Sequence, residues 1–153
     1  MLPLPLRASH HPQLVDRLRR LSKYFEDALQ EALRHVPPDL LSLRHRAIPG
    51  DYPAHVFSPV FPVLTRGSKA LADFLDNLGY ALTPIPFPVV PRGEERIRVV
   101  LHAGNTKEEL DEFITRLLQW AALTQQMEAD QAAARSPAPA QAERQPLMLQ
   151  ARL

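Results

Sequence analysis

Apolar residues recur at helical spacing in the first long segment, from about Pro12 to Val36. They are Leu14, Leu18, Leu21, Phe25, Leu29 and Leu33, with Arg17, Arg20, Lys23 and Glu31 between them. Spacings of three and four put the apolar set on one face, which predicts an amphipathic helix. Ser9 is a candidate cap for its start. Pro37-Pro38 ends it, because proline lacks the N–H that the next turn needs. Leu40 to Ala47 reads as a short strand or a loop. Val56 to Thr65 is denser in apolar residues and reads as a buried strand, with Pro59 and Pro62 placing part of it at an edge.

The pattern then returns to period 3.6. Ala70, Leu71, Phe74, Leu75 and Leu78 predict a second helix over Ser68–Leu78, with Gly79 as its stop. A strand is expected near Tyr80–Ile85 and a clearer one over Arg96–His102, where Ile97, Val99, Val100 and Leu101 fall. Thr106 and Glu109 have the spacing of a capping box at the head of a third helix. Leu110, Phe113, Ile114, Leu117, Leu118 and Ala121 form its buried stripe. Beyond about Met127 the pattern dissolves into Ala, Gln, Pro and Arg, and disorder is expected there. The order of helices and strands predicts an α+β fold with the helices on one face of a sheet. The expected division is a flexible start over 1–9, one domain over 10–127, and a tail over 128–153.

Composition narrows the function classes. The chain has 153 residues, 45% of them hydrophobic, which suits one domain with a core. It has no run of about 20 apolar residues, so no membrane span is expected. A net charge of +1 gives no strong field toward nucleic acid or acidic lipid. With no cysteine, disulfides, thiolate metal sites and a cysteine nucleophile are excluded. Met1–Leu6, with Pro3 and Pro5, lacks the pattern of a secretory signal. The six histidines, at 10, 11, 35, 45, 55 and 102, show no helical pairing with carboxylates, so metal binding is not expected.

Three blocks carry a resemblance. Ser58-Pro59-Val60-Phe61-Pro62-Val63 is similar to an S-P-I-x-P-V strand. Pro86-Phe87-Pro88-Val89-Val90-Pro91-Arg92-Gly93 is similar to an R-P-P-T-V-P-x-G loop. Glu95 to Thr106 is similar to an A-R-L-R strand that runs into an A-x-H-T helix cap. In this order and spacing, roughly residues 10–120 resemble the end of the α-oxoamine synthases, pyridoxal-phosphate (PLP) acyltransferases. The spelling His102-Ala103-Gly104-Asn105-Thr106 is most similar to the fungal 8-amino-7-oxononanoate synthase branch. The resemblance implies the small C-terminal domain of a fold-type-I PLP enzyme. That domain has a short, mostly antiparallel sheet covered by helices, and a long N-terminal helix.

For activity, it implies condensation of an amino acid (L-alanine) with an acyl-CoA (pimeloyl-CoA), with loss of CO2, in biotin biosynthesis. PLP is the electron sink, and the complete enzyme is a homodimer. Arg98 matches the arginine that binds the amino-acid carboxylate, a task suited to the planar two-pronged guanidinium. On residue type alone both Arg96 and Arg98 read as solvent-facing strand arginines. The loop departs from the family pattern: Pro86 stands where it has Arg and Val89 where it has Thr, both polar groups near the substrate.

The Schiff-base lysine does not match any position here. Lys69, in Ser68-Lys69-Ala70-Leu71, imitates the motif but follows the wrong strand and lacks the Gly-rich continuation. Lys23 and Lys107 read as surface residues. No residue of the chain is therefore expected to hold the cofactor covalently. The chain reads as a fragment that would need a PLP-bearing large domain. Two alternatives stay open: a non-catalytic subunit like that of serine palmitoyltransferase, and a binding module that has lost the chemistry. Ala151-Arg152-Leu153 resembles a relaxed S-K-L address, which implies a peroxisomal import receptor as a partner and a peroxisomal or cytoplasmic location.

Overall fold

The structure, a computed structural model, describes residues 12–43 and 57–135. Helix α1 runs from Pro12 to Ala32 and tightens into a single 3-10 turn at Leu33–His35. The expected helix to Val36 thus ends a turn early. Val36 precedes a proline ring that disfavours helical geometry, and it is extended at φ −95°, ψ 134°. Strand β1 is only Ser42–Leu43, and β2 is Val60–Leu64. Helix α2 spans Ser68–Asp76. It closes in a Schellman motif: the Tyr80 N–H donates to the Leu75 carbonyl at 3.0 Å and the Gly79 N–H to the Asp76 carbonyl at 2.9 Å. Gly79 has φ +91°, which only glycine adopts freely. Strand β3 is Thr83–Ile85, β4 is Arg96–Val100, and helix α3 is Lys107–Arg135.

The strands pair antiparallel throughout, in the order β1-β2-β4-β3. The expected α+β class with a short antiparallel sheet and a long first helix is therefore observed. Strand β2 is an inner strand, although Pro62 suggested an edge. The Leu101 N–H bonds to the Pro59 carbonyl and the Thr65 N–H to the Glu95 carbonyl. By alternation, Pro62 opposite Arg98 is a position that makes no bonds to β4. Its missing N–H faces the other side, beyond the described pairing of β1 with β2, which covers Leu64 and Val63.

One face of the sheet holds the core. Phe61 and Val63 of β2 and Ile97 and Val99 of β4 are buried against Leu21, Phe25 and Leu29 of α1, Leu71 and Leu75 of α2, and Phe113 and Leu117 of α3. Phe25 is the hub. Its ring stands edge-on to Phe61 at 5.0 Å and lies 6.1 Å from Phe113. The capping box forms as expected: the Glu109 N–H donates to Thr106 Oγ1 at 3.2 Å and the Thr106 N–H to Glu109 Oε2 at 3.0 Å. Trp120, which the predicted stripe omitted, is also buried, and Leu78 at the end of the second stripe is exposed.

Helix α3 continues to Arg135, past the boundary at 127/128 where a tail was expected. Met127, Glu128, Gln131 and the alanines at 132–134 are good helix formers that need no core to hold the helical state. Arg66 adds a tether, bonding both carboxylate oxygens of Glu128 at 2.7 Å and Asp39 at 2.7 Å. The rest of the expected tail, residues 136–153, lies outside the described residues, as do residues 1–9 of the expected flexible start and the Ser9 cap.

Candidate functional site

The second face of the sheet carries no helix residue of the core. Along β4, Ile97 and Val99 turn inward, so Arg96, Arg98 and Val100 turn outward together. The register sets their neighbours. Arg98 stands between Pro62 on β2 and Thr83 on β3, and Arg96 between Leu64 and Ile85. Val100 stands opposite Val60.

The two arginines differ. Arg98 is exposed, and among the described residues its guanidinium makes no hydrogen bond or ion pair. It is a fixed positive charge with all five donors free. Arg96 was expected to face solvent, yet its side chain is only 22% exposed. Its nearest carboxylate oxygen, on Glu94, is 3.9 Å from its terminal nitrogen, and its Nε is enclosed with no hydrogen-bond partner. Leu64 and Ile85 flank it across the sheet, neighbours that its own strand could not signal.

The loop after β3 is well braced. The Val89 N–H donates to the Pro86 carbonyl at 3.0 Å, the Gly93 N–H to Glu95 Oε2 at 2.7 Å, and the Arg92 guanidinium sits 4.6 Å from the centre of the Phe87 ring. Gly93 has φ +85°. Pro86, Phe87, Pro88 and Val89 are all exposed, so the loop offers an apolar surface where the related pattern has polar groups.

The lysines do not fit a PLP pocket. A Schiff-base lysine works when desolvated or beside another cation, either of which lowers its pKa. Lys23 lies open on α1, 3.0 Å from Asp27, and the hydrogen bond and charge of Asp27 raise its pKa instead. Lys107 is exposed with its ammonium 4.6 Å over the Tyr24 ring, and Lys69 is exposed in the first turn of α2. A shallow depression of about 180 Å³, lined chiefly by Leu33, Val36, Leu41 and Leu43, contains none of them.

The described histidines are also on the surface. His102 accepts the Gly104 N–H on Nδ1 at 3.2 Å, and His35 is exposed. Among the described residues no group of three or more His, Asp and Glu is placed to hold a metal ion. No described helix is long and apolar enough to cross a membrane. His10, His11, His45 and His55, and the terminal Ala151, Arg152 and Leu153, lie outside the described residues.

No family model matches the chain. Individual proteins do. It is 32% identical to the 8-amino-7-oxononanoate synthase of Emericella nidulans, over 71% of this chain and 24% of that protein. The chain is similar to the 8-amino-7-oxononanoate synthases. A bacterial example, the 8-amino-7-oxononanoate synthase of Symbiobacterium thermophilum, is 31% identical over 67% of this chain and 23% of its own length. The aminoacyl transferase sphA of Aspergillus fumigatus is 29% identical over 76% and 25%. The resemblance read from the sequence to the 8-amino-7-oxononanoate synthases therefore holds. The chain spans about a quarter of the length of the curated relatives it matches.

Sequence reasoning did not find Thr83 beside Arg98, or the enclosure of Arg96. Both depend on β3, three residues long with a proline at its centre, which carries too little alternation to reveal its register.

Proposed function

We propose that this chain is the substrate-binding small domain of a PLP-dependent acyltransferase that condenses an amino acid with an acyl-CoA and releases CO2. The observation that carries the reading is Arg98: an exposed, unpaired guanidinium on the bare sheet face, at the position that matches the family's carboxylate-binding arginine. A carboxylate that docks there gains two parallel charge-assisted bonds and is held still. Pro62 on one side offers no competing donor, and the Thr83 hydroxyl on the other is a neutral neighbour.

The resemblance to the 8-amino-7-oxononanoate synthases implies L-alanine and pimeloyl-CoA as the substrates, and biotin assembly as the purpose. PLP, when bound in the complete enzyme, supplies the electron sink. Because no lysine here fits it, the cofactor-holding lysine in this reading belongs to a large domain on another stretch of polypeptide; the resemblance implies that the complete enzyme is a homodimer. The domain assigned to 10–127 extends in this reading to the end of α3. Sequencing the transcript across Met1 tests the proposal. An in-frame upstream region with a Schiff-base lysine is the expected result, and a start at Met1 with no such region overturns the enzyme reading for this chain. A second proposal concerns Ala151-Arg152-Leu153 as a peroxisomal address. A fluorescent protein ending in residues 136–153 should collect in peroxisomes, and a diffuse signal refutes it.

A further inference from the structure

The bare face carries two arginines, and the carboxylate reading uses one. We infer that Arg96 is a second anion-binding residue, which reads the free carboxylate at the far end of a dicarboxylic acyl donor while Arg98 holds the amino-acid carboxylate. This rests on the reading of Arg98 above.

Arg96 and Arg98 lie two residues apart on β4 and point to the same side, so their Cα atoms are about 7 Å apart. Like charges this close repel unless anions accompany them. Arg98 has no partner among the described residues. The nearest anion to Arg96, Glu94, stops at 3.9 Å, beyond hydrogen-bond reach, and the enclosed Nε is unsatisfied. An enclosed donor without a partner is rare in folded proteins. The chemistry around the two sites differs in a useful way. Leu64 and Ile85 flank Arg96, so a carboxylate arriving on a methylene chain finds apolar walls beside its charge. Pro62 and Thr83 flank Arg98, which suits a small polar substrate. The loop that follows Ile85 continues the apolar surface through Pro86, Phe87 and Val89 and adds no uncommitted cation, since Arg92 is stacked on Phe87. Among the described residues of this face, Arg96 is therefore the cation left for a distal carboxylate. The product named for the relatives, an amino-oxo-nonanoate, carries such a carboxylate at its chain end.

Nitrogen-detected NMR of the arginine Nε–Hε groups in the full 153-residue chain tests this, with pimelate and heptanoate as probes at low ionic strength. Pimelate should shift the Nε–Hε signals of both Arg96 and Arg98, and heptanoate that of Arg98 alone. Pimelate should bind about threefold more tightly than heptanoate, the scale of one added exposed ion pair. Arg96→Gln should abolish that preference and leave heptanoate binding intact, and Arg96→Lys should keep part of it. A response at Arg98 alone, or a preference that survives Arg96→Gln, overturns the inference and leaves the Arg98 reading standing. Silence at both arginines overturns both.

Discussion

On the inner side of the sheet Phe61, Val63, Ile97 and Val99 are buried, while the alternate positions Val60, Arg98 and Val100 on the same two strands stand exposed. Composition along the strands does not explain the contrast, since Val60 and Val100 are as apolar as Val63 and Val99. What differs is the partner. Three helices cover the inner side, and none of their core residues reaches the outer. The inner face therefore stabilises the domain, and the outer face leaves Val60, Arg98 and Val100 exposed.

Substitutions should separate the two faces sharply. Phe25→Ala removes the ring on which Phe61 and Phe113 rest, and should cost about 3–5 kcal/mol in urea unfolding. Next comes Gly67→Ala. A methyl there would meet Trp120 Cζ2 at 3.1 Å, too close without a shift of the indole, so a loss of about 1–3 kcal/mol is expected. Thr106→Ala removes the cap of α3 and should cost about 1 kcal/mol. On the outer face, Arg98→Gln should change stability by less than about 0.5 kcal/mol, yet weaken binding of small carboxylates measured by NMR titration. A large stability loss from Arg98→Gln would erase the distinction between the faces.

The helix cap also sets a pH dependence. The Thr106 N–H, and after it the Asn105 amide, hold the Glu109 carboxyl below its ordinary pKa. A carboxyl lowered in the folded state contributes stability that is complete above its unfolded pKa and is lost as pH falls through the folded value. The stability gap between wild type and Glu109→Gln should be full above about pH 5 and shrink below it, as unfolded glutamate titrates near 4.3. A gap that is constant with pH would show that the cap works without the charge.

Helical periodicity and the capping box made the three helices legible, because each depends on residues within its own turn or two. Strand β4 was legible for the same reason, and with it the outward side of Arg96 and Arg98. The inner place of Pro62 was not, since whether a missing N–H matters depends on which way it faces in the sheet. The length of α3 was missed because Ala and Gln bury nothing and leave no apolar stripe, although they favour the helix on their own. The partial burial of Arg96 was missed because its cross-strand neighbours, Leu64 and Ile85, come from two other strands.

The last buried residue of α3 is Ala121, and the helix continues to Arg135. At 1.5 Å per residue this is a spar about 20 Å long, clear of the core. Arg66 braces it near its midpoint through Glu128 and ties the brace to Asp39 at the foot of α1. A spar braced at its middle resists bending at its root. Beyond that brace, the seven residues after Glu128, as far as Arg135, add about 10 Å of helix.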